Sequence, residues 1–325
     1  MEKTVLVLLP LDGVQRTKLT AVAPQRRFLF SSADTVTAEQ AQSAEIIIGN
    51  IPLSLLKHCT MLKWYQLQSA GADKVLGSLA ADVLLTNASG AYDKAQAEFI
   101  LGALLALMKR LPAYWKNQQQ RIWQDEGFER MLFGSTAVLV GMGQIGGALA
   151  DMLNALGAYT IGVTRTGRSN VYVSDELHAV DRLDEQLIRA DAVILTLPAT
   201  AETTGMFDAR RFSCTRRGAL FLNMGRGNTV DTQALCDALE NGILSGAAID
   251  VTEEEPLPAA SKLWALPNVI LTPHIAGHDF LPFVLEKTLH IAMKNLARYE
   301  RGEPLENVVD RSLGYRRKDF APDLS

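Results

Sequence analysis

The chain has 325 residues, 48% of them hydrophobic and 21% charged, with a formal net charge of −4. That length exceeds what one hydrophobic core usually serves and argues for two domains of an ordinary globular protein. There is no basic block suited to nucleic acid or an anionic membrane, and the short run Arg316-Arg317-Lys318 reads as a solvated tail.

The three cysteines, Cys59, Cys214 and Cys236, lie far apart without metal-type spacing, as expected of a reduced intracellular protein with no metal site. The apolar run near the N-terminus ends at Pro10 after about six residues, too few for a signal-peptide core or a membrane span. It reads as a first strand, and the expected location is cytoplasmic.

Residues 1 to about 90 alternate short apolar runs with weaker helical stretches. Strands are expected at Thr4–Leu9, Arg27–Phe30, Glu45–Gly49, Leu62–Leu67 and Val83–Leu85, the spacing of a small parallel α/β unit. After the fourth of these, Gln68-Ser69-Ala70-Gly71-Ala72-Asp73 is a small-residue turn that can offer main-chain N–H groups to an anion, or simply join strand to helix. The stretch from Gln96 to Met108 is apolar on nearly every side and too short to cross a bilayer, so it is expected as a buried helix. Tyr114 to Trp123 is polar with aromatics and is expected to cross the surface.

Thr136-Ala137-Val138-Leu139-Val140 reads as a buried strand. It breaks into Gly141-Met142-Gly143-Gln144-Ile145-Gly146, and a helical pattern follows through Leu149, Met152, Leu153 and Leu156. Strand, glycine turn and helix in this order mark dinucleotide binding. Gly141 suits the tight turn, Gly143 lets a pyrophosphate approach, and Gly146 lets helix and strand pack closely. The helix start then offers N–H groups and partial positive charge. Further strands are expected at 159–163, 191–197, 219–223, 246–250 and 268–272, with helices such as 144–157 and 231–241, as in a doubly wound sheet. Leu281 to Tyr299 is a long amphipathic helix that could pack back on the first domain. The expected division is 1–99 with 283–325 as the substrate-binding domain and 100–282 as the dinucleotide-binding domain.

The second strand of that domain ends in Thr164-Arg165-Thr166-Gly167-Arg168, without the acidic residue that would take an NAD ribose hydroxyl. Arg165 and Arg168, with the hydroxyls of Thr164 and Thr166, suit a 2′-phosphate instead. A basic surface loop is the plainer alternative. NADP is the expected cofactor, with NAD second.

Three later segments put a polar residue just beyond a strand end, where open α/β sheets bind ligands. These are Arg226 in Asn223-Met224-Gly225-Arg226-Gly227, Glu255 in the acidic run after Asp250, and His274 in Thr272-Pro273-His274. Hydride reduction of a ketone needs a proton donor, for which imidazole is well tuned. A carboxylate on its other nitrogen would fix the tautomer and favour the acid form. An arginine would hold a substrate carboxylate and polarise its carbonyl. Singly, each of the three could be a turn cap, a surface acid or a loop histidine. Together they favour catalysis. His278 and Glu254 are the neighbouring candidates.

Through these residues the chain resembles the D-isomer-specific 2-hydroxyacid dehydrogenases over nearly its whole length. The motifs are SAGAD at 69–73, AE at 97–98, GMGQIG at 141–146, LTLPATAETTGMF at 195–207, NMGRGNTVD at 223–231, DVTEEEPLP at 250–258 and PHIAG at 273–277. The resemblance implies an α/β fold of two Rossmann-like or flavodoxin-like domains with parallel sheets and a substrate cleft between them. It implies Arg226 as substrate binder, His274 as acid/base and Glu255 as its partner. The main-chain amides of Ala70 and Gly71 would hold the substrate carboxylate. Cofactor contacts would come from Gly141, Gly143, Gln144, Ile145, Gly146, Leu197, Pro198, Thr203, Met224 and Asp250, beside the residues after the second strand. A homodimer built largely on the cofactor domains is implied as well.

Thr164-Arg165-Thr166 and VVDRSLGY at 308–315 look like the glyoxylate/hydroxypyruvate reductase A branch, which would reduce a small 2-keto acid to the D-2-hydroxy acid. Thr252 departs from the bulkier residue of many members. The alternatives are a short phosphoglycerate dehydrogenase, a reductase of bulkier 2-keto acids, and a dinucleotide-sensing protein of the corepressor type. A form with a C-terminal regulatory domain is set aside because the sequence ends at Ser325. Formate dehydrogenase is disfavoured by Glu255, where that group has glutamine. Substrate size would be set around Asn50–Leu53 and Asn87–Tyr92.

Overall fold

The computed structural model describes residues 3–169, 174–278 and 281–316. Arg317 and Lys318 of the basic run lie outside the described residues. The chain forms two compact units, residues 1–92 with 278–325, and residues 93–277. Both changes of unit fall slightly before the positions expected from sequence, the first because the helix Asp93–Met108 belongs as a whole to the second unit.

The first unit holds a parallel sheet of β1 (Thr4–Val7), β2 (Arg27–Phe30), β3 (Ala44–Ile48), β4 (Trp64–Gln66) and β5 (Leu84–Thr86) in the order β2-β1-β3-β4-β5. This is the flavodoxin-like order. Leu6, Ile47, Tyr65 and Leu85 pack on one face, while Val5, Val7, Ile46, Ile48 and Trp64 pack on the other. The second of those faces is covered by Leu289, Ala292 and Leu296 of the helix Pro282–Glu300. The same helix sends buried Asn295 into the sheet, where its Nδ2 donates to Gln66 Oε1 at 3.0 Å. Thr86 Oγ1 donates to that same oxygen and accepts from Trp64 Nε1 at 2.8 Å, so these buried polar groups satisfy one another.

The second unit is built on β6 (Thr136–Val140), β7 (Tyr159–Thr164), β8 (Glu176–Ala179), β9 (Ala192–Leu195), β10 (Ala219–Asn223), β11 (Leu244–Ile249) and β12 (Val269–Leu271). All pair in parallel, in the order β12-β11-β10-β9-β6-β7-β8. The strand order reverses between β6 and β9, which is the switch point where doubly wound sheets bind ligands. Alternation along the strands divides the core. Val138, Val140, Val193, Leu195 and Phe221 pack toward the helix Thr232–Glu240, while Leu139, Ile194 and Leu222 pack on the helices Asp93–Met108 and Gln144–Ala155.

Two elements differ from the sequence reading. β8 was not expected; its side chains are all only part-buried, and Glu176 and His178 interrupt any apolar run. Part of the polar segment Tyr114 to Trp123 is helical, in Leu111–Gln120, which buries no residue and so carries no apolar stripe to reveal it. A small antiparallel pair, β13 (Val309–Asp310) and β14 (Tyr315–Arg316), completes the first unit.

Candidate active site

The glycine turn between β6 and the helix Gln144–Ala155 has the geometry its sequence requires. Gly141 sits at φ +107°, in the region that favours glycine, and a Cβ on Gly146 would lie 2.0 Å from Gly141 O. Above Gly143 the space is open: a Cβ built there meets nothing within 4 Å. An accessible turn at the start of a 12-residue helix suits a phosphate group. Thr196 Oγ1, just past β9, donates to Gly141 O at 2.8 Å and ties the turn to the neighbouring strand end. Sequence reading missed Thr196, although it lies in the same motif as Leu197 and Pro198.

Several residues expected at the cofactor lie around this turn. Gln144 and Ile145 open the helix. Leu197 meets the Met224–Gly225 corner, since a Cβ on Gly225 would lie 2.6 Å from Leu197 O. Met224 is buried, and its carbonyl accepts from Gln96 Nε2 at 2.7 Å. Thr203 has another use: its hydroxyl donates to Pro198 O at 2.7 Å and accepts from Thr200 N at 2.9 Å, closing the loop that carries Pro198.

The loop after β7 exposes Arg165, Thr166 and Arg168, while Thr164 Oγ1 donates to Arg168 O at 3.3 Å. The Arg165 charge reaches Glu202 in the loop after β9. That carboxyl is held below its usual range, first by its own backbone N–H, then by Thr200 and by the Arg165 charge.

The expected catalytic pair is assembled. His274 Nδ1 lies 2.9 Å from Glu255 Oε2 and 3.1 Å from Oε1. Nδ1–H donating to the carboxylate leaves Nε2 for chemistry, the tautomer an acid/base imidazole needs. The His274 backbone is left-handed at φ 55°, uncommon for a residue with a side chain. Asp250 over-determines it. Asp250 O accepts His274 N at 2.8 Å, while its buried carboxylate accepts Thr272 Oγ1 at 2.6 Å, Ile275 N at 2.8 Å and Ala276 N at 2.9 Å. Asp250, expected at the cofactor, is here the anchor of the histidine loop.

The acidic run divides its work. Glu253 Oε2 accepts Thr232 N at 2.8 Å at the start of the helix Thr232–Glu240, and Thr252 Oγ1 donates to Glu254 O at 2.6 Å. Only Glu255 reaches the imidazole. Arg226 stands on the adjacent loop, its Nη1 donating to Gly225 O at 2.8 Å. A Cβ on Gly227 would lie 1.9 Å from Thr252 O, so the arginine loop and the acidic loop are in direct contact.

In the first unit, the 69–73 turn is tied down by its carbonyls. Ala70 O accepts Asn87 Nδ2 at 2.6 Å, and Ser69 O accepts Ala88 N at 3.0 Å. Asn50 Oδ1 accepts Gln68 N at 3.1 Å. No N–H bond of Ala70 or Gly71 occurs among the described residues.

A seven-stranded sheet with an accessible glycine turn at its switch point, and an imidazole–carboxylate pair beyond the ends of β11 and β12, defines a dinucleotide-dependent enzyme. A family model described as D-isomer specific 2-hydroxyacid dehydrogenase, NAD binding domain, matches residues 101–276. A D-isomer specific 2-hydroxyacid dehydrogenase family protein from Aeromonas salmonicida superposes with a TM-score of 0.85 and 33% identity, over 96% of this chain and 100% of that one. An NADPH-dependent glyoxylate/hydroxypyruvate reductase from Sinorhizobium meliloti, solved with NADP and sulfate, gives 0.82 and 28% over 97% and 100%. A D-3-phosphoglycerate dehydrogenase from Mycobacterium bovis is 32% identical over 275 residues, 82% of this chain; the match spans about half, 48%, of that protein. The chain belongs to the D-isomer-specific 2-hydroxyacid dehydrogenases, which are NAD(P)-dependent oxidoreductases.

Proposed function

We propose that the protein reduces a small 2-keto acid of the glyoxylate or hydroxypyruvate type to the D-2-hydroxy acid, with NADPH as preferred cofactor. The observation that carries this reading is the His274 Nδ1–Glu255 contact at 2.9 Å beside the Arg226 loop. A bound reduced nicotinamide supplies the hydride to the keto carbon. His274 gives the Nε2 proton to the carbonyl oxygen as that oxygen gains charge, and Glu255 stabilises the imidazolium before transfer. Arg226 pairs with the substrate carboxylate and polarises the carbonyl. The Ala70 and Gly71 amides are assigned to a substrate carboxylate on the strength of their unused N–H groups.

The exposed Arg165 and Arg168 support NADPH, since two guanidinium forks suit a 2′-phosphate and no carboxylate ends β7. The Sinorhizobium enzyme is described as NADPH-dependent, in keeping with this. The similarity to phosphoglycerate dehydrogenase favours a second reading, oxidation of a phosphorylated D-2-hydroxy acid with NAD.

We also assign a homodimer through the second unit. Trp123 and Phe128 are fully exposed, with Met131 and Phe133 largely so, an apolar stretch that a second copy would cover.

Initial rates of NADPH and NADH oxidation with glyoxylate, hydroxypyruvate, pyruvate and phenylpyruvate, and of NAD reduction with 3-phosphoglycerate, test the assignment. Fast NADPH-linked turnover of the first two supports it. Turnover confined to 3-phosphoglycerate with NAD would transfer the assignment to the second reading.

A further inference from the structure

We propose that the second unit carries a separate binding site for a small phosphate group, built from Arg130, Arg216 and Arg217. A cavity of about 260 Å³ is lined by these three residues with Asp191, Gly218 and Ala219. Asp191 directly precedes β9, Gly218 directly precedes β10 and Ala219 begins it, so the cavity lies at the amino ends of the strands. The glycine turn follows the carboxyl end of β6 in the same parallel sheet. The two sites therefore occupy opposite ends of the sheet.

The charges in the cavity are unbalanced. Its single carboxylate, Asp191, is already engaged: one oxygen binds Arg216 and the other accepts Thr136 N at 2.9 Å. Arg217 Nη2 donates to a main-chain carbonyl, Asn241 O, at 2.9 Å, which supplies no counter-charge. Arg130 is half-buried, and its guanidinium makes no hydrogen bond or ion pair among the described residues. Its Nη2 lies 3.4 Å from where a Cβ on Gly218 would stand, directly over the start of β10. A half-buried cation without a counter-ion is costly, and an anion in the cavity would relieve that cost.

The segments bearing these side chains are fixed. Arg130 N donates to Met108 O at 2.9 Å, Arg216 N to Leu187 O at 3.0 Å and Gly218 N to Ile243 O at 2.7 Å. Guanidiniums converging from two segments suit a tetrahedral oxyanion, whose oxygens can serve more than one fork. The volume is below that of pockets holding drug-sized ligands, which excludes a dinucleotide. The ligand is phosphate, free or as the ester of a small molecule.

Calorimetric titration of the full chain with inorganic phosphate, at constant ionic strength, tests the site. Arg130→Met and Arg217→Met are each expected to weaken binding roughly tenfold or more, the usual loss for a charge-assisted hydrogen bond. The double variant R165S/R168S is expected to leave this binding intact, and keto-acid turnover is expected to be unchanged in R130M. Competition by glycerol 3-phosphate would show that the site admits esters; binding of the inorganic ion alone would assign it to the free ion. Absence of saturable binding would overturn the proposal. So would binding abolished only in R165S/R168S, which would place the anion at the cofactor loop. If one arginine variant fails to fold, as seen by thermal unfolding, the other decides.

Discussion

Asp250 holds His274 from two sides of the same residue: its carbonyl accepts the His274 N–H at 2.8 Å, and its carboxylate gathers the N–H groups of Ile275 and Ala276. An amide at position 250 would keep one acceptor oxygen and turn an NH2 group toward donors. Asp250→Asn is therefore expected to cost about 1–3 kcal/mol of stability, the penalty for leaving buried donors unpaired. It should also lower kcat through the displaced imidazole. Denaturant unfolding and initial rates measure both, and a wild-type value for each would remove Asp250 from this role.

Gly143 and Gly146 separate binding from folding. Gly146→Ala forces a methyl against Gly141 O and is expected to destabilise the chain by about 1–3 kcal/mol, as overpacking does. Gly143→Ala puts its methyl into open space, so the melting temperature should hold while dinucleotide affinity falls. Thermal unfolding beside a cofactor titration distinguishes the two. Loss of stability in G143A would contradict the open turn.

Much of this site was legible in the sequence, and what was missed has physical causes. The glycine turn announces itself because a buried strand, three glycines and an amphipathic helix occur together. Arg226, Glu255 and His274 could be read because each follows a strand of apolar residues. Asp250 has a task the sequence does not show: an acid at a strand end suits a ligand or a main-chain anchor equally, and the fold brings Ile275 N and Ala276 N onto its carboxylate. Glu253, Glu254 and Glu255 are identical in type, and their separate tasks depend on which way each turns. β8 was illegible because its four part-buried residues carry no apolar run, and polar contacts mark it instead. Glu176 there accepts from Tyr159 on β7 at 2.9 Å, from Arg189 and from His178 at 2.7 Å.

That cluster gives a pH prediction. Arg189 first, then His178 and Tyr159, hold the Glu176 carboxyl well below the usual carboxylate range. A carboxyl depressed in the folded state stabilises above its unfolded value, about 4.3, and loses that contribution as pH falls through the folded value. Glu176→Gln should thus be less stable than wild type near pH 7, by a small amount for so accessible a cluster. The gap should close as the solution is acidified below pH 4. Unfolding curves across that range check it, and a gap that widens in acid would contradict the assigned sign.

Cys59 makes a simpler test. Burial pushes its thiol up to about 11, so little thiolate exists near neutrality. Alkylation of Cys59 at pH 7.5 is expected to be slow and to accelerate only in strong base or on unfolding. Peptide mapping after timed iodoacetamide treatment measures this; rapid labelling of the native chain would mean the site opens.

The cofactor assignment turns on two side chains. Replacing Arg165 and Arg168 by serine should raise the KM for NADPH by about tenfold or more, the worth of lost charge-assisted bonds, and leave the KM for NADH nearly unchanged. Equal losses with both cofactors would show that the loop does not read the phosphate.

The most direct test of the proposed chemistry is His274→Asn, assayed for NADPH binding by fluorescence and for keto-acid turnover in the same preparation. If His274 is the proton donor, NADPH binds as in wild type while kcat falls by about 10² to 10⁴, the usual contribution of a general acid. Turnover at wild-type rate in H274N would contradict the mechanism, whatever the variant's affinity for the dinucleotide.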